Sequence, residues 1–153
     1  MYGTIKHLLI LLIIFILCVS LAACKKLGVT ENAEIDYGNS NKFSEDEIES
    51  AVDIAMDHFR DNFQNCELIK IWYDEEVSDT MVYSYLTYGH GAFGHGISKV
   101  KSENVIGLLF DFYVEPRGAK PYFEPDTMYC GWNMILIKDS KTDKWAFRDG
   151  YGG

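Results

Sequence analysis

Basic side chains are scarce: 14 Lys and Arg stand against 23 Asp and Glu, leaving a formal charge of −9 over 153 residues. A nucleic-acid binder needs clustered positive charge to displace counterions from phosphate, so that class of partner is excluded. Long apolar runs are also missing, since none reaches the ~20 residues of a membrane-spanning helix. Disorder is excluded from the opposite direction, because 48% hydrophobic and 14% aromatic residues are more than an unfolded chain carries. Catalytic motifs are lacking too. No GK[ST] follows a glycine-rich turn, no nucleophile signature surrounds a cysteine, and the D-x-D-x-D-G rhythm of a calcium loop is absent.

What is present begins at the N-terminus. Leu8 to Leu17 is unbroken and apolar, and Cys18-Val19-Ser20-Leu21-Ala22-Ala23 extends it with Ser20 as the one polar position. A short apolar run ending in small residues is the pattern of a cleaved export signal. An uncleaved anchor helix is the alternative, disfavoured by the shortness of the run and by the lack of a positive flank before Lys25 and Lys26. Leu21-Ala22-Ala23-Cys24 resembles the lipobox of bacterial lipoproteins. That resemblance implies cleavage after Ala23, a diacylglyceryl group on Cys24, and residence on the extracytoplasmic face of the cell membrane. Two acyl chains hold a protein firmly where one binds marginally.

Residues 1–23 therefore read as a lipoprotein signal peptide. Residues 24–42 read as the lipidated cysteine and a flexible tether, because KKLGVTENAEIDYGNSNK is rich in Gly, Asn, Ser and charge and has no periodicity. Residues 43–153 then form a single domain.

Within that domain Phe43-Ser44-Glu45-Asp46-Glu47-Ile48 carries a complete helix-start signature. Ser44 and Glu47 make a capping box, and Phe43 is placed to pack on Ile48. Ile48, Ala51, Val52, Ala55, Met56, Phe59 and Phe63 continue at spacings of three and four, which predicts one long helix to about Asn65. Cys66–Tyr73, Asn104–Glu115, Thr127–Lys138 and Lys144–Arg148 read as strands, the last two joined by the turn-rich Asp139–Asp143. Asp79–Tyr88 reads as a short helix stopping at Gly89. The order predicts an α+β domain, a long N-terminal helix packed on a curved antiparallel sheet.

The capped helix, Leu68-Ile69-Lys70-Ile71-Trp72-Tyr73-Asp74-Glu75-Glu76, Glu103-Asn104-Val105-Ile106, Trp132 ahead of Ile135-Leu136-Ile137-Lys138, and the closing Lys144-Trp145 and Asp149-Gly150-Tyr151-Gly152 follow in a distinctive order. In that order they resemble an uncharacterised domain of Gram-positive bacterial lipoproteins. The resemblance spans Lys42 to Gly153 and implies the cone-shaped fold of nuclear-transport-factor-two-like and cystatin-like domains, with no catalytic residue to carry across. A cone implies a pocket between helix and sheet, which in some relatives serves isomerases and dehydratases. Trp72, Asp111 and Trp132 are the pocket candidates here. Asp111, between Phe110 and Phe112, reads as an outward polar residue of an alternating strand or as an inward base with raised pKa; alternation makes the outward reading the default.

Three further constellations have a chemical and a plain reading. His90 and His95 in Gly89-His90-Gly91-Ala92-Phe93-Gly94-His95-Gly96 would suit a metal ion, yet a structural site needs about four ligands, and a glycine-rich turn is the simpler account. Cys66 and Cys130 remain once Cys24 is lipidated, either bridged by export into oxidising surroundings or buried as apolar thiols. Asp74-Glu75-Glu76 with Asp79 reads as a solvated acidic turn rather than a Ca²⁺ site. No cofactor follows from these patterns. The expectation is a monomeric, membrane-anchored, non-catalytic binding or envelope module, the alternative being a small-molecule carrier or isomerase-like enzyme in the cone pocket.

Overall fold

The computed structural model describes residues 27–88, 100–118 and 123–150. Ala23 and Cys24 lie outside the described residues. Helix α1 spans Glu45–Asn62 and starts as its sequence predicts. The Glu47 N–H donates to Ser44 Oγ (3.3 Å), while the Ser44 N–H donates to Glu47 Oε2 (3.0 Å), so each side chain satisfies the other residue's otherwise orphaned backbone donor. Ile48, Ala51, Val52, Ala55 and Phe59 form the buried stripe.

Strands β2 (Cys66–Trp72), β3 (Val105–Val114), β4 (Thr127–Lys138) and β5 (Trp145–Gly150) pair as antiparallel neighbours. The hairpin between β4 and β5 closes on Asp139, whose Oδ1 accepts from the backbone N–H groups of Lys141 and Thr142, both at 2.9 Å. The fold is α+β, as expected. Its sheet, however, is mixed rather than wholly antiparallel: a short strand β1 (Glu34–Asp36) precedes α1 and pairs parallel with β2, Glu34 opposite Lys70 and Asp36 opposite Trp72.

The expected tether at 24–42 is corrected by the same observation. From Gly28 onward the stretch belongs to the fold: Gly28 N–H donates to Arg60 O (2.8 Å), Val29 N–H to Cys66 O (2.9 Å), and Leu68 N–H to Val29 O (2.8 Å). Backbone pairing carries no side-chain signature, and all three β1 residues are exposed, so the sequence reads as a linker. Parallel neighbours need a long crossover, and α1 supplies it, returning the chain across one face of the sheet.

That face holds the main core, in which Phe59, Phe110, Phe112, Leu68, Ile71 and Leu136 are fully buried. The second face is covered at one end by helix α2, which spans Glu75–Tyr88 and so begins four residues before the predicted Asp79. Asp74 opens it, Oδ1 accepting from the Val77 N–H (2.9 Å). The acidic run is thus a helix first turn, where carboxylates favour the positive end of the dipole, and not a solvated loop. Glu75 accepts from Ser40 Oγ (2.6 Å), the Asn41 N–H (2.7 Å) and Asn41 Nδ2 (3.1 Å), and Asp79 pairs with Lys42.

Helix α2 sits close because Gly107 has no side chain. A Cβ there would come within 2.7 Å of Met81 Cε and 3.4 Å of Ser78 Cα, while the Gly107 N–H, beyond the end of β2, donates to the buried Ser78 Oγ (2.9 Å). Val82 and Tyr85 pack there against Val105 and Ile135.

Ser78→Ala is expected to leave the Gly107 N–H buried without an acceptor and to destabilise the domain by about 1–3 kcal/mol in chemical denaturation; an unchanged midpoint would refute the docking role. The Glu75 carboxyl, held down to about 2 by the Ser40 hydroxyl and then by Asn41, contributes stability that is complete above the ordinary carboxylate range and is lost as pH falls through about 2. An NMR titration should find its midpoint well below those of other glutamates, and Glu75→Gln should speed amide exchange at Asn41.

Candidate functional site

The three pocket candidates do not meet. Trp132 pairs with Phe110 and lies on the α1 face, edge-on to Phe112 (5.3 Å), Phe123 (5.4 Å) and Tyr129 (5.5 Å). Trp72 pairs with Leu109 on the opposite face, with the Lys70 ammonium 5.7 Å from its ring centroid. Asp111 shares that second face, half-buried, and its Oδ1 accepts from the Gly131 N–H (2.7 Å). At that point β4 bulges: Phe110 faces Trp132 and Phe112 faces Tyr129, so Cys130 and Gly131 together oppose Asp111, Gly131 at φ +68°. The outward reading of Asp111 holds, with its carboxylate committed to the bulge. Between α1 and the sheet, the space where a cone pocket was expected is occupied by Phe59, Phe63, Phe110, Phe112 and Phe123, whose rings lie 4.5–6.0 Å apart in successive contacts.

Neither reading of the two cysteines holds in full: no bridge joins them, and only Cys66 is a buried thiol. Cys66 and Cys130 are both free, one buried against α1 and the other exposed. They sit on β2 and β4 with β3 between them, a separation of roughly two strand spacings near 4.8 Å each, beyond what a disulfide bridges. Burial pushes the Cys66 thiol up to about 12, with Glu115 adding to the effect, so it carries no thiolate at neutral pH. His90 and His95 lie outside the described residues. Among the described residues no group of three or more His, Cys, Asp or Glu is placed to hold a metal ion.

A cleft of about 250 Å³ lies instead on the second face, where α2 meets the β4–β5 pair. Thr80, Met81, Ser84 and Tyr85 line it from the helix, and Asn133, Ile135, Asp149 and Gly150 from the strands. A register shift creates it. Ile135 pairs with Asp149 while Leu136 pairs with Phe147, so Arg148 is the extra residue of a bulge and Asp149 comes to lie beside Ile135. Simple alternation from Trp145 and Phe147 would have put Asp149 on the α1 face.

Asp149 Oδ1 accepts from the Gly150 N–H (2.9 Å), and Oδ2 is buried with no hydrogen-bond partner among the described residues. Tyr85 is nearly buried, and burial, followed by the Asp149 charge, raises its phenol above the ordinary tyrosine value, so it stays protonated as a donor. An acceptor carboxylate on one wall, hydroxyls on the other, and Met81 and Ile135 as apolar surface make a site for a small polar molecule. Sequence reasoning passed over Asp149 and Tyr85. The motif Asp149-Gly150 marks the chain position, but nothing in it signals the bulge.

Searches against models of protein families, against curated proteins and against solved structures find no match to the chain.

The thiol geometry gives a direct check. In the folded protein Cys130 should react with a thiol reagent at the rate of an exposed cysteine, whereas Cys66 should react only on unfolding. Equal rates, or loss of both by oxidation to an intramolecular bridge, would contradict the strand arrangement.

Proposed function

We propose that this protein is a lipid-anchored module on the extracytoplasmic face of the cell membrane that binds a small partner molecule and performs no catalysis. The observation that carries the reading is Leu21-Ala22-Ala23-Cys24 set directly ahead of a fold in which, among the described residues, the first backbone hydrogen bond is made by Gly28. Four residue-to-residue steps lead from the lipidated cysteine to that bond, a reach of at most ~14 Å. The domain is therefore seated against the headgroups, with the C-terminal end of α1 at the near pole, instead of riding on an 18-residue leash. Lys25 and Lys26 add a small attraction to anionic lipid.

The finer fold reading is a cone of the nuclear-transport-factor-two-like and cystatin-like kind. It is supported by α1 lying along the antiparallel run β2–β5, the mixed edge at β1 and the second helix α2 being additions to that plan. A role in binding is supported over one in isomerisation or dehydration, since aromatic side chains occupy the space between α1 and the sheet that such chemistry uses. The module is read as a monomer without a cofactor, and its acidic surface disfavours direct adhesion to anionic wall polymers.

Cys24→Ser should abolish incorporation of labelled palmitate and leave the protein as unprocessed precursor or released from the membrane fraction. Recovery of unmodified wild-type chain from the cytosol would overturn the anchored reading.

A further inference from the structure

We infer that the cleft between α2 and the β4–β5 pair takes a small organic cation, the ammonium group of a compact molecule, with Asp149 as its counter-ion. The inference rests on the reading of this cleft as the module's binding site. Its starting point is Asp149 Oδ2, a buried carboxylate oxygen with no donor among the described residues. Buried polar atoms are otherwise almost always satisfied, and a charged one is the most costly to leave alone. Asp149 lines the cleft, and the terminal torsion of an aspartate is broad and roughly two-fold, so a modest rotation turns the unmet oxygen towards an occupant.

The remaining walls favour an organic cation over a metal ion. A divalent ion needs several oxygen ligands with more than one carboxylate among them, and Asp149 is the single carboxylate of the lining among the described residues. Across from it stand the Tyr85 ring, Ser84 and the apolar Met81 and Ile135, surfaces that suit a carbon skeleton carrying one charged end. Arg148, the nearest cation along β5, is exposed and is not among the lining residues, and its charge reaches Tyr85, where it opposes the larger effect of Asp149. The volume, about 250 Å³, is below that of pockets for drug-sized ligands, which limits the occupant to a compact molecule. The overall charge of −9 draws such a cation towards the protein.

The test uses the full chain in detergent micelles, titrated with benzylammonium and with benzyl alcohol as its neutral counterpart, while the amide signals of Asn133 and Gly150 are followed by NMR. Benzylammonium should shift both signals and bind about tenfold or more tightly than the alcohol, a preference that Asp149→Asn should remove. Ser84→Phe, which fills the cleft and keeps the carboxylate, should abolish both titrations and guards against a variant that merely fails to fold. Equal binding of the two probes in the wild type, or an ammonium preference that survives Asp149→Asn, would overturn the cation assignment and leave the cleft as a binding site. No shift with either probe would overturn both.

Discussion

Strand β3 is buried on both faces over Val105–Leu108 and alternates only from Leu109 onward, and the architecture answers to that division. A strand covered on one side alone exposes every second residue, so the continuous burial of the first half demands a second cover. Helix α2 is that cover. It can come close because Gly107 presents bare backbone, and it stays because Ser78 satisfies the N–H that β2 is too short to pair. On the other face the alternating half lays Phe110 and Phe112 against Phe59 and Phe63, each burial contributing on the order of 1.5–3 kcal/mol. The cleft at Asp149 is the seam that remains where α2 stops short of covering β5.

A second junction ties the two ends of the domain together. Glu47, already half of the capping box, also pairs with Lys138 at the end of β4, and its carbonyl accepts from Trp145 Nε1 (3.0 Å) at the start of β5. The Lys138 ammonium lies 5.3 Å from the Trp145 ring centroid and 3.4 Å from Asp143 Oδ1. The start of α1 is thereby clamped to the β4–β5 hairpin by one residue, whose carboxyl is held below its ordinary value first by Lys138 and then by the Ser44 N–H. Because these partners are more than ninety positions apart, the clamp forms only when the fold closes.

Of the three irregularities among the described strands, the two that involve β4 aim a carboxylate at the second face, and they do so with opposite results. At Gly131 the bulge supplies its own N–H to Asp111, so that carboxylate is spent on backbone geometry. At Arg148 the bulge turns Asp149 to the same face and leaves one oxygen unmet. An aspartate flanked by aromatics, conspicuous in the sequence, thus has a structural partner, whereas the inconspicuous one near the end of β5 borders the cleft. Trp72 and Trp132, similar as strand tryptophans, part to opposite faces because a strand's two sides are one residue out of phase.

The sequence by itself determined the local elements: α1 with its cap and stripe, the four antiparallel strands, and the tight β4–β5 turn. Those features are written in spacings of two to four residues and in capping chemistry, which neighbours in the chain are enough to satisfy. Only the tertiary structure decided that residues 28–42 belong to the fold, that Cys66 and Cys130 are kept apart, and where the cleft lies. Each of these turns on backbone hydrogen bonds or on strand register, and neither leaves a mark in side-chain identity. A one-residue bulge reverses which face a side chain occupies, and the sequence around Asp149 reads the same with or without it.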